Sequence, residues 1–164
     1  MRPNLRLLLN SIVFALIAQT AAASAQAFDP CLFKPSELQA AFGVPFTDGK
    51  RDRPIAAGPV TLHACRYEAR NFSLRVGADV YGTPEAAKQE LHALAGKLVP
   101  IPNDPDGAHF QEGQGDLTDP ALHYTRGKVA IHLRLMGIYY DSPAEKAQAT
   151  ERMRQKLAAL RRVP

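Results

Sequence analysis

The segment Phe72–Tyr81 constrains the fold more than any other, because its apolar and polar residues alternate without interruption. One face would carry the side chains of Phe72, Leu74, Val76, Ala78 and Val80. The other face would carry Ser73, Arg75, Gly77 and Asp79. A period of two residues is typical of a strand that buries one side and leaves the other open. The sequence therefore predicts a sheet with one apolar and one polar face.

A preceding strand, Thr61–Glu68, forms the first predicted hairpin with this segment. A tight turn at Arg70-Asn71 sets the register of the pair. The expected opposed pairs are Tyr67 with Leu74, Cys65 with Val76 and His63 with Ala78. This register places Cys65 and Tyr67 on the apolar face.

A second hairpin is predicted from Leu122–Thr125 and Lys128–Met136, with its turn at Arg126-Gly127. Apolar residues again alternate along the longer strand. The residues that share its apolar face are Val129, Ile131, Leu133 and Leu135.

Three helices are predicted where a proline and an acidic residue open an apolar stripe of helical spacing. Their expected ranges are 35–42, 84–98 and 143–160. The segment 47–59 is predicted to be a loop, and the turn-rich segment 103–120 a second loop with a short strand around 108–111.

The order helix, hairpin, helix, hairpin, helix predicts a single α+β domain over residues 28–164. Its expected architecture is an antiparallel sheet of four or five strands with the helices packed on one face. Such a chain is long enough to bury a hydrophobic core.

Residues 1–27 have the pattern of a cleaved export signal peptide. Two arginines lie within the first six residues, and the following apolar stretch is about a dozen residues, shorter than the roughly 20 that span a membrane. Small residues fit cleavage after Ala25 or Ala27. We expect a periplasmic or secreted protein without a stable membrane anchor after cleavage.

The chain has two cysteines, Cys31 and Cys65. In an exported protein, a pair of cysteines is expected to form a structural disulfide. A redox-active pair and a metal site are the alternatives. The spacing is far wider than Cys-x-x-Cys, and two thiolates fall short of a closed zinc site.

Three short motifs resemble the opening of small exported bacterial proteins of unknown function, a lipoprotein-like domain family. The motifs are Asp29-Pro30-Cys31-Leu32, the helix at 36–43 that ends in glycine, and Cys65-Arg66-Tyr67. Gly113-Gln114-Gly115-Asp116, followed by the second hairpin, is similar to a later part of the pattern. The resemblance implies the fold, the disulfide and export, and it supplies no catalytic residues. Many members are lipoproteins, but the residues before Cys31 lack the small residue that a lipidated cysteine requires.

The net charge argues against nucleic-acid binding. It is +4 for the whole chain, and Arg2 and Arg6 contribute two of these charges, which leaves about +2 after cleavage. Five basic residues near the C-terminus are expected on a solvated helix face, with binding of an anionic envelope polymer as the alternative. They are Arg152, Arg154, Lys156, Arg161 and Arg162.

The histidines His63, His123 and His132 are the residues with the best chance of forming a site. The predicted second hairpin makes His132 the diagonal neighbour of His123, about 7–8 Å away on the polar face. Two imidazoles at this distance could share a metal ion, but Lys128 and Arg134 on the same face oppose a cation. We therefore expect solvent-facing histidines, and for His63 a half-buried, inward position.

An acidic group in the second loop is expected to be solvated, because its spacing differs from that of an EF-hand calcium site. Its members are Asp104, Asp106, Glu112, Asp116 and Asp119. Tyr139-Tyr140 is expected to pack against the last helix.

No sequence motif of a nucleophile, metalloprotease or phosphate loop accompanies these residues. The sequence therefore favours a non-catalytic binding or interaction domain without a cofactor, whose partner is an unknown protein or envelope component. The alternative is a metal-binding or enzymatic domain that uses His63, His123 or His132.

We predict that the full chain, expressed in a bacterium with an active export pathway, is recovered without its first 25 or 27 residues. Intact-mass measurement of the purified protein checks this. A mature protein that still begins at Met1 would contradict the export signal.

Overall fold

The computed structural model describes residues 28–93, 97–112, 119–138 and 142–163. Within them, the helices are α1 (Pro35–Phe42), α2 (Pro84–Ala93) and α3 (Pro143–Ala159). The strands are β1 (Lys50–Arg51), β2 (Ile55–Ala57), β3 (Val60–Glu68), β4 (Ser73–Val80), β5 (Lys97–Pro100), β6 (His109–Glu112), β7 (Ala121–Arg126) and β8 (Val129–Met136). The predicted export signal, the glycine motif at 113–116 and Tyr139-Tyr140 lie outside the described residues.

The strands form one antiparallel sheet of eight strands, in the order β1-β3-β4-β8-β7-β6-β5, and β2 pairs with β3 beside β1. The predicted sheet of four or five strands is therefore wrong. In the described residues, no helix has both the length and the apolar character needed to cross a bilayer.

The additional strands are short and lack an alternating pattern. β1 and β2 lie in the segment 47–59 that the sequence indicates as a loop, and all five of their residues are exposed. Exposed edge strands are held by backbone pairing, which side-chain periodicity does not record. β5 contains Leu98, which the sequence assigns to the stripe of the second helix, whereas α2 ends at Ala93.

The first hairpin has the predicted register, with Tyr67 opposite Leu74 and Cys65 opposite Val76. The second hairpin does not. Its turn lies at Gly127-Lys128, and Gly127 has a φ of 53°, which suits the first central residue of a type II′ turn. This slides β7 by two residues along β8, so each side chain keeps its predicted face but meets a different partner.

The apolar face of the sheet packs against α1 and α3. The core cluster joins the inward side chains of the central strands to residues of both helices, among them Leu38, Phe42 and Leu157. The buried residues of α2, Ala87 and Leu91, lie outside this cluster although α2 contacts β7 and β8.

The helix α2 instead lies on the polar face of the sheet. Burial, together with the carboxylates of Glu90 in α2 and Asp79 in β4, raises the pKa of Tyr81 to about 12. Ala130 points away from the core cluster and is nevertheless fully buried. The prediction that all helices share one face is therefore wrong, because α2 covers part of the second face.

The N-terminal segment is fixed to β3 by the disulfide Cys31–Cys65, whose Cα atoms are 5.2 Å apart. The Tyr67 hydroxyl accepts a hydrogen bond from the backbone N–H of Phe33 at 3.0 Å. A Cβ at Gly49 would come within 2.7 Å of the Cys65 sulfur, so only glycine fits beside the bond. The predicted disulfide is therefore present and is packed at the edge of the core.

Of the basic C-terminal residues for which the sequence predicts a solvated helix face, Arg152 is exposed as expected, whereas Arg161 and Arg162 make tertiary contacts. Arg162 pairs with Asp104 at 2.5 Å, and its guanidinium lies over the Tyr124 ring. The Tyr124 hydroxyl accepts a hydrogen bond from Val163. Arg161 pairs with Glu37 of α1 at 2.9 Å. These contacts hold the last residues against the sheet and α1.

We predict that replacing both cysteines, Cys31→Ser with Cys65→Ser, lowers the free energy of unfolding by about 3–4 kcal/mol, because the bond closes a loop of 34 residues in the unfolded chain. Urea unfolding of the oxidised wild type and of the variant measures the difference. Equal midpoints for the two proteins would show that the bond contributes nothing.

Candidate functional site

The strand register brings three histidines into one row across the sheet. His109 on β6 lies directly opposite His123 on β7, which lies directly opposite His132 on β8. The row continues with Gly77 on β4 and Ala64 on β3. Because strands alternate, all five residues lie on the face that points away from the core cluster. Ala64 and Gly77 therefore leave free space beside the imidazoles of His123 and His132.

The two histidines of the second hairpin are in contact, and the predicted diagonal, solvent-facing arrangement is wrong. The Nδ1 atoms of His123 and His132 are 2.7 Å apart, and Nε2 of His132 lies 2.9 Å from a carboxylate oxygen of Asp79. His123 is only 2% exposed. A hydrogen-bonded chain thus leads from a partly exposed carboxylate into the sheet.

Hydrogen-bond chemistry fixes which atoms donate and which accept between Asp79, His132 and His123. A carboxylate only accepts, so Nε2 of His132 donates to Asp79. One of the facing Nδ1 atoms must then donate to the other. Both ring nitrogens of His132 are occupied whichever atom carries the shared proton. Nε2 of His123 is buried and has no hydrogen-bond partner within the described residues.

Electrostatics keep His123 neutral. Burial lowers its pKa to about 3, and the neighbouring charges of His132, Arg134 and His109 act in the same direction. A neutral imidazole at this position can share one proton with His132 without placing a second charge inside the sheet.

A cleft of about 520 Å³ opens beside this chain on the same face. Ala64 and Gly77 form part of its lining. A Cβ at Gly77 would lie 3.5 Å from the side chain of His132. Charged residues from three segments surround the opening. They are Asp52, Arg53, Arg75, Asp79 and Arg134.

The sequence places Arg75, Gly77 and Asp79 on the polar face of their strand but does not show that they form a cleft. One usable signal is the glycine inside a strand, which often marks a close approach of a ligand or a second chain segment. The edge residues Asp52 and Arg53 carry no such signal, because their position depends on the unpredicted strands β1 and β2.

The strand register places His63 on the opposite face of the sheet from His123 and His132, although His63 is also among the residues that line the cleft. His63 faces Ala78 in the register of β3 and β4, on the core side of the sheet, with its ring centroid 6.1 Å from that of Phe28. Among the residues described here, no three His, Cys, Asp or Glu side chains are arranged to hold a metal ion.

The acidic loop has a structural role at two of its positions. Asp104 pairs with Arg162 and accepts hydrogen bonds from the backbone N–H groups of Asp106 and Ala108. Asp106 forms a two-point pair with Arg126, at 3.1 and 3.2 Å. These carboxylates therefore brace the loop before β6 rather than facing solvent. Asp116 lies outside the described residues.

We predict that His123 makes the protein less stable in acid. Its pKa is 6.5 in the unfolded chain and about 3 in the fold, so the unfolded state binds the proton first as the pH falls below 6.5. Its contribution is complete above pH 6.5 and falls by about 2–3 kcal/mol by pH 4.5. Urea unfolding at both pH values should show this loss in the wild type and a smaller loss in His123→Leu.

The exposed His92 on α2 provides the matched control, because His92→Leu removes a histidine outside the row. It should retain the pH dependence of the wild type. If His123→Leu and the wild type lose the same stability between the two pH values, His123 is not held neutral by the fold.

No protein-family model matches this chain, and no curated protein matches it. Among solved structures, the chain is similar to the extracellular domain of PknH from Mycobacterium tuberculosis, with 14% sequence identity and a TM-score of 0.37. The match covers 78% of this chain and 93% of that chain. A similarity of this size supports no conclusion about the fold or function of the present protein.

Proposed function

We propose that this protein is an exported, non-catalytic binding domain and that the cleft on the polar face of its sheet is the ligand site. The observation that carries the proposal is the cleft itself. Its volume of about 520 Å³ lies within the range of roughly 300–1,000 Å³ typical of small-molecule sites. Apolar and charged residues both line it, as expected of a site that binds and orients a ligand.

The hydrogen bonds of His123 and His132 favour binding over catalysis. A general base needs a free nitrogen within reach of the ligand. Both nitrogens of His132 are engaged, by His123 and Asp79, and the remaining nitrogen of His123 is buried. The hydrogen bonds that join Asp79, His132 and His123 therefore hold Asp79 and His132 rigidly at the wall of the cleft.

Export is supported by two features of the chain. A disulfide persists in oxidising compartments, and the bond Cys31–Cys65 is integrated into the core edge. Residues 1–27 have the sequence pattern of a cleaved signal. We assign the mature domain to the periplasm or the extracellular space, where its ligand is a small molecule or a group on an envelope component.

The metal-binding alternative through His63, His123 and His132 has less support. Metal binding by the last two would require breaking the contact between their Nδ1 atoms, and the register places His63 on the other face. We therefore retain the binding cleft as the assigned site.

We predict that Gly77→Leu abolishes ligand binding by filling the cleft. The new Cβ fits at ordinary contact distance from His132, so the remainder of the side chain projects into the free space without disrupting the strand. Amide-resolved NMR titration of the mature protein with neutral, anionic and cationic small organic molecules should identify binders that shift the signals of Gly77 and His132.

Gly82→Leu is the matched control, because no atom of the described residues lies within 4 Å of a Cβ at that position and Gly82 does not line the cleft. It should bind as the wild type does. Binders that perturb only the apolar face, or that bind Gly77→Leu unchanged, would place the site elsewhere.

A further inference from the structure

We propose that the ligand of this cleft is an amphiphilic anion, whose phosphate or carboxylate group is held between Arg75 and Arg134 while its apolar part lies along the rim. This inference rests on the proposed function and names the chemical class of the ligand.

The first support is a row of cations across four neighbouring strands. Lys50 on β1 lies opposite Arg66 on β3, Arg66 lies opposite Arg75 on β4, and Arg75 lies opposite Arg134 on β8. These pairs lie on the polar face, next to the histidine row. Like charges directly opposite each other destabilise a sheet. An anion placed between them would remove that repulsion.

Within the described residues, few of these cations form an ion pair. Arg66 has Glu68 as its partner at 3.9 Å, and Arg134 donates to the neutral side-chain oxygen of Gln111 at 3.0 Å. Arg75 has no hydrogen-bond or ion-pair partner in the described part of the chain, although it lines the cleft. The row therefore retains its capacity to bind an external anion.

Three carboxylates lie near the cleft or its arginines, namely Asp52, Asp79 and Asp119. Asp79 is engaged by His132 at 2.9 Å. Asp119 lies near enough for Arg134 to act on it, but burial has the larger effect and raises the pKa of Asp119. Within the described residues, no ion pair joins Asp52 or Asp119 to Arg75 or Arg134.

The chemistry of guanidinium selects the anion. An arginine side chain presents parallel N–H donors that match the two oxygens of a carboxylate or phosphate. Two opposed arginines can each contact such a group from one side. Strands fix the backbone positions of both residues, so the distance between them is set by the sheet rather than by a loop.

The apolar part of the ligand is indicated by the rim of the same cleft. Ile55 is 61% exposed, and no other large hydrophobic side chain among the described residues is comparably exposed. Leu62 and Met136 also line the opening. An inorganic anion would leave these side chains in water, whereas an amphiphile would cover them.

The test compares three probes that share their parts: hexyl phosphate, hexanol and inorganic phosphate. Isothermal titration of the mature protein should give an affinity for hexyl phosphate at least tenfold higher than for either of the others. Replacing both arginines, Arg75→Gln with Arg134→Gln, should weaken hexyl phosphate binding at least tenfold. Because it relieves the repulsion, Arg75→Gln should also raise the melting temperature of the ligand-free protein.

Arg152→Gln on the exposed surface of α3 is the matched control for loss of one arginine, and it should bind like the wild type. The proposal would be overturned if the wild type did not bind hexyl phosphate, or if it bound hexanol or inorganic phosphate with the same affinity as hexyl phosphate. It would also be overturned if the double variant bound hexyl phosphate as tightly as the wild type. Hexanol binding that Gly77→Leu abolishes would retain the cleft as a site and refute only the anion. If neither these probes nor the small-molecule titration detects binding at the cleft, the proposed function fails as well.

Discussion

The pairing of β4, β8 and β7 is the constraint on which both the core and the candidate site depend. On one face, this pairing stacks Leu74, Leu135 and their neighbours under α1 and α3. On the other face, the same register sets His123 against His132 and Arg75 against Arg134. Because side chains alternate along a strand, neither face can be rearranged without the other. Core packing therefore fixes the geometry of the polar cleft.

The polar face carries features that reduce stability in the absence of a ligand. A neutral imidazole is buried with a nitrogen that has no partner among the described residues, and cations oppose each other on adjacent strands. Residues that break local rules of stability are often functional. The disulfide, the Arg162–Asp104 pair and the aromatic packing around Phe42 stabilise the rest of the domain. These contacts lie away from the cleft. They stabilise the domain while the cleft retains groups that lower its stability.

The parts of the fold that could be predicted are those with strong local patterns. Alternation located the central strands, proline-led stripes located the three helices, and the Arg70-Asn71 turn gave the correct first register. The edge strands were missed because backbone pairing, not side-chain pattern, forms them. The register of the second hairpin was wrong by two residues because Gly127 begins the turn rather than ending it. That single difference hid the contact between His123 and His132 and with it most of the site.

The most direct test of this account is NMR of the histidine side chains at neutral pH in protein labelled with ¹⁵N. A proton shared by His123 and His132 produces a scalar coupling between their Nδ1 nuclei, which is measurable across the hydrogen bond. We predict this coupling, together with a His123 ring that remains neutral as the pH is lowered to 5. Two rings that titrate independently near their ordinary pKa, with no coupling between them, would contradict the register and the cleft built on it.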